Sequence, residues 1–282
     1  MSWFLDPFSA EFMLRALVGG ILVAALCAVV GTWVVVRGMA FLGEAMAHGM
    51  LPGVALASLL GLPAVAGAAV SAVAMSLGVS LVARRGRISQ DTSIGLLFVG
   101  MLALGVIIVS HSRSFATDLT AILFGDILAI REDDLLVLSA ALAVTLLVAL
   151  AGHRSFVALA FDPRVAATMG LRPRLAQTAL VGLVTLAVVA SYGAVGSLLV
   201  VGLLLAPAVA AGQWARRIPS TMLLAAACGS LAVILGLLVS WHASTAAGAS
   251  IAACSIAIAA ISALGRHLLF LPIRKAAHAL PA

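Results

Sequence analysis

The feature that most constrains this chain is a series of apolar runs, each about 20 residues long, parted by short stretches that collect nearly all of the charge. At about 1.5 Å per residue such a run crosses about 30 Å of hydrocarbon as a helix. Runs of that kind are expected near 13–36, 40–60, 62–83, 92–110, 134–152, 175–192, 194–213, 219–240 and 245–265. Lipid offers the backbone no hydrogen-bond partner, so each must be helical. The expected fold is therefore all-α: a polytopic transmembrane bundle of eight or nine spans, filling 1–282 as one membrane domain. The stretch 117–130 is too short and too polar to cross and is read as a re-entrant or surface helix.

Composition agrees. Of the 282 residues 64% are hydrophobic and 9% charged, against about 25% charged in an ordinary soluble domain. The net charge of +6 does not indicate nucleic acid, because the basic residues fall in small clusters between apolar runs. They set orientation instead. If Arg84, Arg85 and Arg87 are cytoplasmic, alternation puts Arg37, Arg154, Arg164, Arg172, Arg174, Arg216, Arg217, Arg266, Arg274 and Lys275 on the same side. Arg15, Arg113 and Arg131 then face out, with Asp6, Glu11, Asp118, Asp126, Glu132, Asp133 and Asp134. The reading has an interfacial N-terminal segment (1–12, carrying Trp3, Phe4, Phe8 and Phe12) and a cytoplasmic tail (267–282) in a multi-pass membrane protein. Cys27, Cys228 and Cys254 lie inside apolar runs with no CxxC pair, as small buried hydrophobes do.

Ionisable groups inside a span are costly, about 2.5–3.5 kcal/mol each at the bilayer centre, so their presence points to function. Glu44 and His48 stand four apart in FLGEAMAHGMLPGVALA (41–57), hence on one helical face. Both are ligands for a divalent cation, although a pair that merely satisfies itself in a dry bundle fits the pattern as well. Pro52 is four residues beyond His48 and is expected to leave the His48 carbonyl without its helical donor. The longest polar interruption, His153–Gln177, is basic and is placed in the cytoplasm as the loop 153–174. Within it Asp162 and Pro163 mark a helix start and Gly170 a stop, giving a short helix over Arg164–Met169 that could dock a partner or simply connect two spans.

The segments 41–57, RISQDTSIGLLFVGMLALGVII (87–108), ILFGDILAIREDDL (122–135), DPRVAATMGLRP (162–173) and YGAVGSLLVVGLLLAPAVAA (192–211) together resemble the permeases of the ABC-type manganese, zinc and iron(-chelate) importers. The resemblance implies that Glu44 and His48 belong to the metal route, with Glu where that family commonly has Asp. It implies that Asp162, Arg164, Ala166, Ala167 and Gly170 belong to the site where an ATPase docks. The family's acidic residue and proline near the eighth and ninth spans are missing from SWHASTAAGAS (240–250). The implied assembly sits in a bacterial inner membrane and holds two permease chains, as a homodimer, with two ATPase subunits and an extracytoplasmic metal-binding protein. The transported ion is expected to be Zn²⁺ ahead of Mn²⁺, since imidazole favours the later metals and carboxylate is tolerant. No cofactor is held permanently.

The chain lacks a GxxxxGK[ST] phosphate loop, and Lys275 is its one lysine, so ATP would be used by a separate subunit. It also lacks HExxH and GxSxG, which weighs against an intramembrane enzyme. A proton- or ion-coupled secondary carrier using Glu44 and His48 as a relay is the other reading the residues allow.

Overall fold

The computed structural model describes residues 6–84, 89–110 and 125–277. Arg85, Arg87, Arg113, Asp118, most of the 117–130 segment and the end of the tail lie outside the described residues. After a 3₁₀ turn at Asp6–Ser9 the chain forms α1 (Glu11–Val36), α2 (Ala40–Gly49), α3 (Leu51–Leu59), α4 (Ala64–Arg84) and α5 (Gln90–Ser110). A second 3₁₀ turn at Ile127–Ala129 precedes α6 (Glu132–Ala151), α7 (His153–Phe161), α8 (Pro163–Thr168), α9 (Pro173–Val195), α10 (Ser197–Gly212), α11 (Ile218–Ala243) and α12 (Ala247–Ala277). Eight stretches are long and apolar enough to span: α1, α2 with α3, α4, α5, α6, α9, α11 and the first part of α12, Ala247–Leu269.

The ninth expected span is α10, only 16 residues long, or about 24 Å. Side-chain contacts nevertheless carry it from one end of the bundle to the other. Gln177, near the start of α9, binds Arg37 at the end of α1, whereas Gln213 and Trp214, just past α10, meet Arg266 and Ser262 of α12. Phe12, at the start of α1, packs on Trp241 at the end of α11. The start of α11 therefore lies at the Arg37 end, and so does the end of α10. Arg15 pairs with Glu11 and with Glu132 at the opposite end. One end of the bundle thus gathers the basic residues and the other the acidic ones, the distribution the sequence leads one to expect.

α1 is the central helix. Its small residues allow close crossings: a Cβ at Gly31 would overlap the Leu204 carbonyl of α10. Gly19 and Gly20 receive Ile130 and Ile127 from the second 3₁₀ turn, whose Asp126 side chain accepts from the Leu128 N–H at 3.2 Å. That described part of the 117–130 segment is packed into the bundle by its apolar side chains, not laid on a surface. By contrast α5 and α6 expose Leu96, Val99, Val106, Leu147 and Leu150, as peripheral helices solvated by lipid do.

Candidate functional site

The second crossing is broken at Met50. α2 ends there, with the Met50 N–H closing on the His48 carbonyl, and α3 restarts with Pro52 in its first turn. Proline tolerates that position because the first N–H groups of a helix lack intrahelical partners anyway. The carbonyl that takes an outside donor is that of Gly49, which accepts from Ser71 Oγ of α4 at 2.7 Å. The His48 carbonyl has no donor from Pro52, as expected, and the break at Met50 frees the Gly49 carbonyl as well.

Glu44 and His48 lie on α2 one turn apart, and His48 Nε2 is 2.9 Å from Glu44 Oε1. They are the two residues between Leu42 and Met50 that are not buried. Their neighbours fasten the helix to the rest of the chain: Gly43 faces Leu204 of α10, Met46 Sδ accepts from Thr185 Oγ1 of α9 at 3.9 Å, and Gly49 faces Met75 of α4. The acid and the imidazole are left on the open side, 38% and 24% exposed. Phe98 of α5 flanks them, with its ring 5.8 Å from His48 and 5.3 Å from Phe41. Among the described residues no third His, Cys, Asp or Glu joins them in a group. One chain thus brings a carboxylate and an imidazole together on an open face.

At the basic end, α8 matches the expected short helix closely. Asp162 caps it by accepting from the Arg164 N–H at 2.7 Å. The stop is a Schellman turn: the Leu171 N–H reaches the Ala166 carbonyl and the Gly170 N–H that of Ala167, each at 3.1 Å, with Gly170 at φ +73°. Of the five expected docking residues, Arg164, Ala167 and Gly170 are exposed and Asp162 is half-buried, but Ala166 is fully buried against its own chain. Sequence reasoning missed the more informative side chains. Phe161, Val165 and Met169 are 86%, 50% and 67% exposed. They recur every four residues on a basic segment, an apolar strip beside the charged residues where water would otherwise be met.

The preceding helix α7 was not expected at all. It buries Phe156 and Leu159, and Phe156 packs edge-on against Trp33 of α1 at 5.4 Å, with His153 against the same indole at 5.8 Å. The three-residue spacing of Phe156 and Leu159, following His153, Arg154 and Ser155, is the signal that could have found it. His242, at the end of α11, lies on the acidic end of the bundle, far along the chain from the Glu44 and His48 pair.

Residues 9–266 match the profile of the ABC 3 transport family. The chain is 36% identical over 240 residues to the manganese transport system membrane protein MntC of Listeria innocua, covering 85% of each. It is 33% identical over 274 residues to the chelated iron transport system membrane protein YfeD of Yersinia pestis, covering 96% of this chain and 91% of that protein. Among solved structures, PsaBC from Streptococcus pneumoniae in complex with Fab superposes with a TM-score of 0.79 at 33% identity, covering 92% of this chain and 94% of that one.

Proposed function

The chain belongs to the ABC 3 transport family and is a permease subunit of an ABC metal importer, and we propose that it passes a divalent first-row metal ion between the Glu44 and His48 pairs of two permease copies. The observation that carries this reading is the pair itself, an acid and an imidazole 2.9 Å apart on the open face of an otherwise buried helix. Two ligands cannot strip an ion of its water. A second copy facing the first across a twofold axis supplies two more. The pair sits about 6–12 Å along α2 from its start at Ala40, within the membrane and toward the basic end.

A carboxylate with an imidazole accommodates Mn²⁺ or Fe²⁺ as well as later metals, and Mn²⁺ or Fe²⁺ is the choice made here. The names of the relatives, for manganese and chelated iron transport, support the same choice. The expectation of zinc rests on ligand type alone.

ATP is consumed by two partner subunits that dock on α8, where Phe161, Val165 and Met169 offer the apolar contact and Arg164 the charged rim. A metal-binding protein delivers the ion at the acidic end. The test is reconstitution of permease, ATPase and binding protein in liposomes, with uptake of Mn²⁺, Fe²⁺ and Zn²⁺ measured separately. Glu44→Ala and His48→Ala should each abolish uptake while the complex assembles and hydrolyses ATP at its basal rate. Uptake at the unmutated rate in both well-folded variants would refute this route.

A further inference from the structure

We propose that Arg37 is a positioning residue that clamps the ATPase-facing segment to the metal helix, so that displacement of α8 reaches Glu44 and His48 through one guanidinium. The inference rests on the function proposed above, for it presumes both a docked ATPase and a metal route along α2.

The clamp begins with how α1 ends. The Met39 N–H reaches the Val34 carbonyl at 2.9 Å and the Gly38 N–H the Val35 carbonyl at 3.1 Å, with Gly38 at φ +66°. This is a Schellman turn, and it leaves Arg37 as the C-cap three residues before α2 starts. Any movement of Arg37 is thus passed to Ala40 across a single ordered turn. From there a continuous helix runs about 12 Å to His48.

The other end of the clamp is the junction of α7 and α8. In a continued helix the Leu159 carbonyl would accept from residue 163, but that residue is Pro163 and has no N–H. Asp162 is extended there (φ −156°, ψ 121°), so α7 stops and its carbonyl is orphaned. Arg37 Nη1 donates to it. Arg37 Nη2 donates to Gln177 Oε1 of α9 at 2.6 Å, and Gln177 Nε2 in turn donates to Met39 Sδ at 3.7 Å. One side chain therefore joins the last turn of α7, the first turn of α9 and the turn that opens α2. The two elements that flank α8 in the chain are both in its grip.

Structural need alone does not call for an arginine here. Among the described residues no carboxylate pairs with it, its Nε is buried without a partner, and burial pulls the guanidinium below its ordinary value. A long basic side chain at a membrane edge can more cheaply reach outward to water. A planar fork that binds two acceptors in fixed relation is what arginine supplies and lysine does not.

The test uses the complete permease–ATPase complex with its binding protein in liposomes, with Mn²⁺ as the probe. Three quantities are read: Mn²⁺ transported per ATP hydrolysed, ATPase copurification, and Mn²⁺ bound by the complex without nucleotide. Arg37→Met should lower Mn²⁺ per ATP roughly tenfold while copurification and Mn²⁺ binding persist. Arg37→Lys keeps the charge but not the fork and should fall between, at about threefold. Unchanged Mn²⁺ per ATP in Arg37→Met, or loss of Mn²⁺ binding in step with uptake, would overturn the clamp. Should Arg37→Met fail to assemble, Arg37→Lys decides, and full coupling in that variant would overturn it too. His48→Ala tests the reading beneath: normal uptake there refutes the metal route, whereas normal coupling in the arginine variants refutes the clamp alone.

Discussion

The crossing of α3 and α4 permits a sharp test of how tightly the broken span is held. Gly53 and Gly67 approach backbone to backbone; a Cβ on Gly53 would lie 2.6 Å from Ser71 Cβ and would overlap the Gly67 carbonyl. Ordinary contact starts at 3.4 Å, so Gly53→Ala must push the helices apart by at least 0.8 Å, the difference of those two distances. The same shift stretches the Ser71 to Gly49 bond from 2.7 Å to the limit of hydrogen bonding. Overpacking of this kind costs about 1–3 kcal/mol, and the weakened bond about 1 kcal/mol more. Melting of the purified complex, followed by the monodisperse fraction left after heating, should drop by on the order of 5 °C or more. Gly182→Ala in α9 is the control: nothing lies within 4 Å of its Cβ position, and relief of unfolded-chain entropy should leave it neutral or slightly stabilised. A Gly53→Ala complex that melts within a degree of the parent, or a Gly182→Ala complex that falls as far, would refute the packing argument.

Two further outcomes are expected. Phe161→Asp and Met169→Glu place charge in the exposed apolar strip and should cut ATPase copurification about tenfold or more with membrane insertion unchanged, as seen by pull-down from solubilised membranes; Thr178→Ala, an exposed change farther along α9, should not. Removing the imidazole should weaken Mn²⁺ binding to the complex, because it is one of the two donors each chain brings to the proposed site; equilibrium Mn²⁺ binding to His48→Ala should fall well below the parent's, and equal binding would refute the assignment.

Much of the fold was legible because the solvent is lipid. Wherever backbone polar groups cannot meet water, an apolar run of about 20 residues has one structure available to it, and the ends of α1, α5 and α6 fall within two residues of the expected runs. The ends of α8 were legible for a local reason: an Asp–Pro start and a glycine stop act within one turn. What escaped depends on contacts far apart in the chain. Ser71 satisfies Gly49 from another span, and Arg37 finds Leu159 more than a hundred positions away. α7 escaped because its basic residues mask a buried face of Phe156 and Leu159. Ala166 reads like Ala167 in sequence, yet one turns into the chain and the other out.

The break at Met50 divides the second crossing, which carries the proposed ligands Glu44 and His48, into two halves whose anchors differ in part. α2 leans on α10 through Gly43 and Leu204 and on α9 through Met46 and Thr185. α3 leans on α4 through Gly53 and Gly67, and Gly105 of α5 sits against Leu51 and Pro52. Gly49, against Met75 and Ser71, ties the end of α2 to α4, and Phe41 and His48 pack on Phe98 of α5. An unbroken helix would force both sets of anchors to move together. With the bend at Met50, α2 is shared among α5, α9 and α10, whereas α3 rests on α4 and α5. α9 is also the helix that begins directly after α8 and bears Gln177. The half of the crossing that holds Glu44 and His48 is therefore joined through α9 to the basic end, and α5, through Phe98 and Gly105, is the helix common to both halves.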